Sequence, residues 1–428
     1  MPVISRVAAP IRGRFLRRAG GIDLSRVDRV PDRLVWPLFR EGFDPLPRLS
    51  RLRDQAPVAR LTRFLGITVW VVTGEAEARR VLADGDAFST DVRPYVGAAG
   101  DAHEGDIGGL GFTDPPEHTA LRKLLTPEFT MRRLERLRPR IEAVVAAQLE
   151  ELAAAVAPGA AGTDPVDLVQ TFAFPVPFLV ICELLGLPDD ERETFRRLGA
   201  ARFDVSGGGR AAFGAVSGSR EYLLDFVRRQ RQRPGEGLVG HLVREHGDRV
   251  SDHELGGLAD GAFTGGLETS ASMLSLGTAV LLEHPEVYAR LAAEPAYVER
   301  VVEELLRYLS VVQVAFPRFA RRDVAVGGQR VRSGDVVMVH LTAADRDPRA
   351  GWDDRFDPDR PAARGHLAFG HGFHRCVGAE LARMELRTAY PALARRFPHL
   401  AAAGGTTALR QRSIVYGLDT MPVLLDAR

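Results

Sequence analysis

A glycine-rich loop runs into the predicted start of a helix at Phe369-Gly-His-Gly-Phe-His-Arg-Cys376-Val-Gly-Ala-Glu-Leu-Ala-Arg383. Gly370, Gly372 and Gly378 permit sharp turns and let the backbone approach a flat ligand closely. Backbone N–H groups at the helix start, together with the arginine that precedes the cysteine, favour the thiolate form of Cys376. A single thiolate in a stiff loop is what a haem iron needs on its proximal side.

Zinc binding is an alternative interpretation of this stretch, because His366, His371, His374 and Cys376 lie close together in the sequence. Structural zinc sites usually repeat closely spaced cysteine and histidine pairs, commonly with several cysteines. Only one cysteine is present here, and the glycines would have no role in a zinc site. The pattern therefore favours haem over zinc.

The stretch resembles the Phe-Gly-x-Gly-x-His-x-Cys-x-Gly haem-binding loop of the cytochrome P-450 family, including the Leu-Ala-Arg that follows it. The resemblance extends from about Arg53 to the C-terminus. It implies a mainly α-helical fold with a minor β portion, in which a long central helix lies over haem b, iron protoporphyrin IX. It also implies Cys376 as the axial ligand of the iron, with Phe369, Gly370 and Gly378 as further cofactor contacts.

The longest predicted helix begins with a capping box at Ser251 and ends near Glu283. Its middle contains two adjacent glycines, Gly265 and Gly266, which cost about 1 kcal/mol each relative to alanine. A helix that tolerates this cost usually has a packing or ligand reason. We expect both glycines to let a flat macrocycle lie against the backbone.

An acid and an alcohol, Glu268 and Thr269, follow these glycines. A threonine inside a helix can hydrogen-bond back to a carbonyl group and bend the helix. The two residues resemble the family's acid–alcohol pair, which delivers protons when O₂ is activated. The resemblance therefore implies that Glu268 and Thr269 are the catalytic residues, and it favours O₂ activation over a peroxide-only enzyme.

Cations are needed to hold the two propionates of haem. His118 and Arg122 share one face of a helix predicted to begin with Asp114 as its N-cap. Arg318 and His374 match the other two propionate contacts of the family. The four residues are thus implied cofactor-binding residues.

Glu304 and Arg307 occupy one face of a predicted helix. They resemble the family's Glu-x-x-Arg element, and the resemblance implies that they lock the core near the haem. Arg360 is a candidate third partner. The segment 343–348 resembles the family's Ala-Asn-Arg-Asp-Pro element, with Asp345 in place of the usual asparagine.

The rest of the sequence limits the domain organisation, the partners and the cellular compartment of the protein. Short strands are predicted at 58–65 and 67–73, a basic tail at 1–22, and a single haem-thiolate domain at 23–428. The chain has 57 basic and 56 acidic residues, so its charge does not point to nucleic acid or an anionic membrane. No apolar run is long enough for a transmembrane helix. Two cysteines, of which Cys182 is predicted to be buried, favour a reducing compartment and a soluble cytoplasmic protein.

An apolar pocket is predicted for a hydrophobic small molecule, and the resemblance favours an intermediate of natural-product biosynthesis. Its candidate lining residues are Val92, Phe263, Val312, Val314, Ile414 and Val415. The alternatives are a peroxide-driven hydroxylase, a non-catalytic haem-binding protein and a zinc-stabilised helical binding protein.

Electrons must come from another protein, because no Gly-x-Gly-x-x-Gly lies between a strand and a helix. A ferredoxin and its reductase are the expected source, and the chain is expected to be a monomer. A basic docking face for the ferredoxin is predicted from Arg122, Lys123, Arg132, Arg133, Arg136, Arg375 and Arg387.

Overall fold

The computed structural model describes residues 32–64, 66–91, 110–156, 164–203, 209–361, 365–404 and 407–427. The predicted basic tail at 1–22 and the pocket candidate Val92 lie outside these residues. Helices dominate the described residues and strands are short, which confirms the predicted mainly α fold with a minor β portion.

Fifteen α-helices occur in the described residues and are numbered in chain order. They are α1 (Asp32–Val35), α2 (Pro47–Gln55), α3 (Glu75–Ala83), α4 (Glu117–Leu125), α5 (Met131–Leu134), α6 (Arg138–Ala154), α7 (Pro175–Leu185), α8 (Asp189–Phe203), α9 (Gly209–Gln232), α10 (Leu238–His246), α11 (Asp252–Glu283), α12 (Pro285–Ala293), α13 (Val298–Leu309), α14 (Leu341–Ala344) and α15 (Ala379–Arg396). A short π-helical segment, Val169–Ala173, precedes α7.

The described strands are numbered in the same way. They are β1 (Arg40–Glu41), β2 (Asp44–Pro45), β3 (Val58–Phe64), β4 (Ile67–Val72), β5 (Phe88–Ser89), β6 (Val166–Asp167), β7 (Arg318–Ala320), β8 (Val324–Val326), β9 (Gln329–Val331), β10 (Val336–Val339), β11 (Ala401–Ala402), β12 (Ala408–Leu409), β13 (Leu418–Thr420) and β14 (Pro422–Leu424). The largest sheet has the strand order β3-β4-β10-β7-β5, with β4 and β10 parallel and the other pairs antiparallel. The two predicted strands around Gly66 are confirmed as β3 and β4, and Gly66 has a φ of 78° that suits glycine.

Helix α11 is the central element of the fold. The Ser251 hydroxyl accepts a hydrogen bond from the Glu254 N–H, and the Glu254 carboxylate accepts one from the Ser251 N–H, so the predicted capping box is present. The helix has 32 residues and spans about 48 Å. It packs against α7, α9 and α15, and its C-terminal half is buried on nearly every side. No helix among the described residues combines the length and the hydropathy needed to cross a membrane.

Two helical predictions differ from the structure. Helix α4 begins at Glu117 rather than after Asp114, because the Asp114 carboxylate accepts hydrogen bonds from Ser89 and Thr90 instead of capping the helix. The helical sequence pattern from about 132 to 156 predicts one helix, but the structure divides this segment into α5 and α6, since Pro139 lies in the first turn of α6 and cannot continue an earlier helix.

Candidate active site

The cysteine loop is held in a fixed shape by its own backbone. The Cys376 N–H donates to the Phe369 carbonyl oxygen at 2.9 Å, and the Gly370 N–H donates to Leu367 at 2.7 Å. Gly370 and Gly372 have φ values of 70° and 73°, which residues other than glycine rarely adopt. A Cβ on Gly372 would lie 2.5 Å from the carbonyl oxygen of Leu82 in α3, so this glycine also permits close packing of the loop on that helix.

The Cys376 side chain is solvent-accessible, although it lies deep among protein atoms just before α15. These surroundings raise the pKa of the thiol above its usual range. A hydrogen bond from the Gly378 N–H and the positive charges of Arg122 and Arg375 act in the opposite direction. A bound metal cation would complete the stabilisation of the thiolate. Cys182, by contrast, is fully buried in α7, and burial raises its pKa to about 12, as expected for an inert core cysteine.

Asp345 anchors the N-terminal end of the cysteine loop. Its buried carboxylate accepts hydrogen bonds from the Leu367 N–H at 2.6 Å and from the Ser310 hydroxyl at 2.8 Å. Burial raises the pKa of this carboxyl. The sequence predicts no role for Asp345, because the residues to which it is hydrogen-bonded lie 22 and 35 positions away.

The Glu304–Arg307 pair joins α13 to the segment before the cysteine loop. The Arg307 guanidinium donates two hydrogen bonds to the Glu304 carboxylate, at 2.7 and 2.8 Å. It also donates to the carbonyl oxygens of Asp345 and Arg355. Arg360 lies at the edge of this network, 3.8 Å from Glu304. Since Arg307 is 1% exposed, the pair is a buried link rather than a surface salt bridge.

Two histidines and two arginines, His118, His374, Arg122 and Arg318, converge beside the loop. The rings of His118 and His374 lie 4.3 Å apart, and His374 Nε2 is 3.1 Å from the Thr90 hydroxyl. Burial, together with the charges of Arg318 and His118, lowers the pKa of His374 to about 3. Arg122 belongs to the same group, since its charge acts on both His118 and Cys376.

Both ring nitrogens of His118 are buried and have no hydrogen-bond partner in the described part of the chain. A buried polar group without a partner is costly, so these nitrogens point to an absent partner. An anionic cofactor with two carboxylates, close to an accessible thiol, fits the residues present.

The zinc interpretation does not fit the same residues. The His366 ring lies 3.3 Å from Glu303, and the His371 ring lies 3.4 Å from Arg79. Within the described ranges, the residues of the loop do not form a cluster of metal-ligating atoms.

The two glycines of α11 have different surroundings. A Cβ on Gly265 would meet open space, as expected for a backbone that a flat group approaches. A Cβ on Gly266 would lie 2.9 Å from Ile181, so Gly266 permits α11 to pack on α7, and its cofactor contact remains a prediction. The Thr269 hydroxyl donates to the Gly265 carbonyl oxygen at 2.6 Å, which is the predicted back-bond.

Glu268 is paired rather than free. Its carboxylate accepts a hydrogen bond from the Arg410 guanidinium at 2.7 Å. Burial raises the pKa of Glu268, the charge of Arg410 opposes this, and the more distant Asp419 adds to it. Arg410 comes directly after β12, and sequence reasoning missed it because no local pattern links it to a helix 142 residues earlier.

Comparisons with known proteins agree with this geometry. The cytochrome P-450 family model matches residues 228–416. Cytochrome P-450 165B3 of Amycolatopsis orientalis is 38% identical over 395 residues, which cover 90% of this chain and 96% of the relative. The chain belongs to the cytochrome P-450 family.

Other members of the cytochrome P-450 family are equally similar along their length. The 6-deoxyerythronolide B hydroxylase of Saccharopolyspora erythraea is 37% identical to this chain. The alignment covers 88% of this chain and 95% of the hydroxylase. The solved structure of OxyC, a cytochrome P-450 implicated in an oxidative C–C coupling reaction during vancomycin biosynthesis, has a TM-score of 0.79 at 37% identity. The alignment with OxyC covers 90% of this chain and 96% of the OxyC chain. This chain is accordingly a cytochrome P-450 monooxygenase, an oxidoreductase that uses haem iron, O₂, an electron donor and a small-molecule substrate.

The predicted pocket residues of this cytochrome P-450 separate into two groups. Ile414 is 59% exposed, and Val312 and Val415 are half-buried and form a β-bridge with each other. Val314 is buried and bridges to His340. Phe263 has no exposed surface and packs on Phe195 of α8 at 4.4 Å, so it is a core residue and its expected place in the pocket is corrected.

Sequence reasoning missed a further apolar contact near the predicted pocket. Phe316 is 47% exposed, and its ring meets that of Phe112 edge to face at 4.7 Å. Neither residue was among the candidate lining residues, and only their distance shows that they meet.

Proposed function

We propose that this cytochrome P-450 binds haem b and oxidises a hydrophobic intermediate of natural-product biosynthesis. The observation that carries the proposal is the accessible Cys376 thiol in a rigid loop beside buried, unpartnered His118. When bound, the haem would supply the O₂ and electron chemistry. The names of 6-deoxyerythronolide B hydroxylase and OxyC support the substrate class, and they span hydroxylation and oxidative coupling.

The protein's own residues would place and tune the cofactor. Cys376 would hold the iron, while His118, Arg122, Arg318 and His374 would hold the two propionates. Burial lowers the pKa of Arg318 to about 10, and a propionate carboxylate would compensate for that lost hydration. The open face at Gly265 would leave room for the macrocycle.

Protons would be supplied from α11 by Glu268 and Thr269. The Thr269 hydroxyl is held by the Gly265 carbonyl and remains able to accept a hydrogen bond on its oxygen. Burial raises the pKa of the Glu268 carboxyl, so it holds a proton more readily than an exposed glutamate does. The presence of both groups favours O₂ over peroxide as the oxidant.

A separate ferredoxin with its reductase is our proposed electron source, and we propose that the enzyme acts as a monomer. The two cysteines are free thiols, which suits a reducing cytoplasm. Lys123, Arg132 and Arg136 are exposed and have no ion-pair partner among the described residues, so they are available to an acidic partner. Arg387, in contrast, is paired with Glu299 and makes a weaker contribution than the sequence predicted.

The carbon monoxide difference spectrum of the reduced protein tests the proposal. We expect the red-shifted Soret band of thiolate-ligated haem in the wild type and its loss in Cys376→Ala. Cys182→Ala is the matched control and should keep the band, because Cys182 is buried in α7 away from the loop. A wild type without bound haem, or a band that survives in Cys376→Ala, would contradict the proposal.

A further inference from the structure

Three charged residues form a chain on the surface of α11. The Arg410 guanidinium donates to Glu268 through one terminal nitrogen at 2.7 Å and to Asp419 through Nε at 2.9 Å. Glu268 and Arg410 are about one-quarter exposed, whereas Asp419 is 56% exposed. One guanidinium is therefore shared between a mostly buried carboxylate and a solvated one.

The backbone fixes the position of Arg410. Its N–H donates to the Gly417 carbonyl oxygen at 2.9 Å, which closes the loop 411–416 at its base. Gly417 is pressed against α11, because a Cβ there would lie 2.5 Å from the Ser272 hydroxyl. The backbone of Arg410 is thus held, through Gly417, close to a point on α11 one helical turn from Glu268.

The charges that act on Glu268 can be named. Among the described residues they are Arg410 and Asp419, both from the C-terminal hairpin β12–β13. Glu385 of α15 lies near the neighbouring Ser270 and does not contribute to the shift of Glu268. Arg410 favours the ionised form of Glu268, and Asp419 weakens that effect because it adds negative charge nearby and competes for the same guanidinium.

We propose that Arg410 is a positioning residue for proton transfer by Glu268, and that Asp419 moderates it by sharing the guanidinium. The inference rests on the proposed role of Glu268 in proton supply. Arg410 does not touch the substrate or the cofactor in this arrangement. It determines where the Glu268 carboxylate sits and how readily that carboxylate holds a proton.

Two substitutions make opposite predictions. In Arg410→Gln the buried carboxylate loses its cation, so the midpoint of Glu268 titration should rise by about one pH unit. In Asp419→Asn the competing carboxylate is removed, so the midpoint should fall. Arg410→Lys keeps the charge and should remain nearer the wild type. Asp419 is exposed, so its substitution keeps the test usable even if Arg410→Gln folds poorly.

The midpoint is measured on the haem-loaded protein by infrared difference spectroscopy of the protonated carboxyl, with Glu268→Gln to assign the band. The second readout is the pH profile of product formed per NAD(P)H consumed. Its alkaline limb, where Glu268 loses the proton that it supplies, should move in the same directions. Shifts of both variants in the same direction, or no shift in either, would overturn the inference and leave Arg410 as a structural clamp.

The two readouts separate the inference from the proposed function. If Glu268→Gln abolishes coupled turnover while the midpoint of Glu268 titration is unchanged in Arg410→Gln, the proposed function is supported and the inference about Arg410 is wrong. If the midpoint shifts as expected while Glu268→Gln leaves coupling intact, the electrostatic link is present but proton supply by Glu268 is wrong, and the positioning role falls with it.

Discussion

Glu385 is a single buried carboxyl group whose ionisation would cost the folded protein free energy. It lies on α15, is 2% exposed, and one of its oxygens has no hydrogen-bond partner among the described residues. The other oxygen is hydrogen-bonded to Ser270 of α11, directly after Thr269. Burial raises the pKa of Glu385 from 4.5 to about 8, so the folded protein keeps this carboxyl protonated at neutral pH.

The raised pKa predicts a pH-dependent stability. Below pH 4.5 the carboxyl is protonated in both the folded and unfolded states, whereas between pH 4.5 and about 8 only the folded state keeps the proton. The stability that Glu385 provides is therefore lost as pH rises through this window. Glu385→Gln should be more stable than the wild type at pH 8, by about 4 kcal/mol, and close to it near pH 4.5.

Denaturant unfolding at the two pH values measures this difference. Glu299→Gln is the control, because Glu299 is 70% exposed, and its substitution should change stability little at either pH. An equal effect of Glu385→Gln at both pH values would show that packing, and not ionisation, dominates.

The sequence predicted the residues of the site better than their partners. Cys376, the four proposed propionate-binding residues and the Glu268–Thr269 pair lie in recognisable local patterns, and their roles remain predictions. The partners of Glu268 and Asp345 are distant along the chain, and no periodicity or spacing reveals them. Phe263 was misplaced for a related reason, since an apolar side chain on α11 suits either a pocket or a core.

The ends of helices can be predicted from capping residues and prolines when no tertiary hydrogen bond competes for the capping side chain. The capping box at Ser251 and the proline after Glu283 predicted the ends of α11 to within a residue. Asp114 has equally good capping chemistry, but strand β5 and the residue after it supply competing donors, and the helix begins later. A tertiary hydrogen bond can therefore override a local signal at an element end.

The docking of the cysteine loop on α3 predicts the effect of one methyl group. Gly372→Ala adds a Cβ at positive φ and brings it into contact with the α3 backbone. Gly334→Ala is the matched control, because Gly334 has a φ of 85° and open space around its Cβ position. The control should lose about 1 kcal/mol of unfolding free energy, and Gly372→Ala should lose about 2 kcal/mol more. Equal losses in denaturant unfolding would mean that the loop does not depend on this close approach.

The whole molecule carries almost no net charge, so any electrostatic steering must come from a local face. Helix α5, which bears Arg132, contacts α15, the helix that follows Cys376. Arg132 and Arg136 line a surface depression beside it, and Arg133 in the same place is paired with Glu128. The unpaired arginines are thus close to the thiolate side of the proposed cofactor.

Charge reversal tests this face. Arg132→Glu combined with Arg136→Glu should slow reduction by an acidic ferredoxin about tenfold, and the effect should diminish at high salt. Reduction by dithionite should be unchanged, because dithionite does not need the docking face. Arg330→Glu, an exposed reversal on β9, is the control and should leave both rates unaltered. Equal slowing with both reductants would contradict the docking role.

The closed loop 411–416 has an evolutionary consequence. Ile414 and Val415, which we expect to touch the substrate, lie between Arg410 and Gly417, which are fixed on α11 beside Glu268. A mutation that reshapes this loop to accept a new molecule would also displace Arg410. Selection for altered specificity at the loop would therefore be accompanied by changes in the fraction of reducing equivalents wasted as peroxide, and compensating substitutions should accumulate at Asp419.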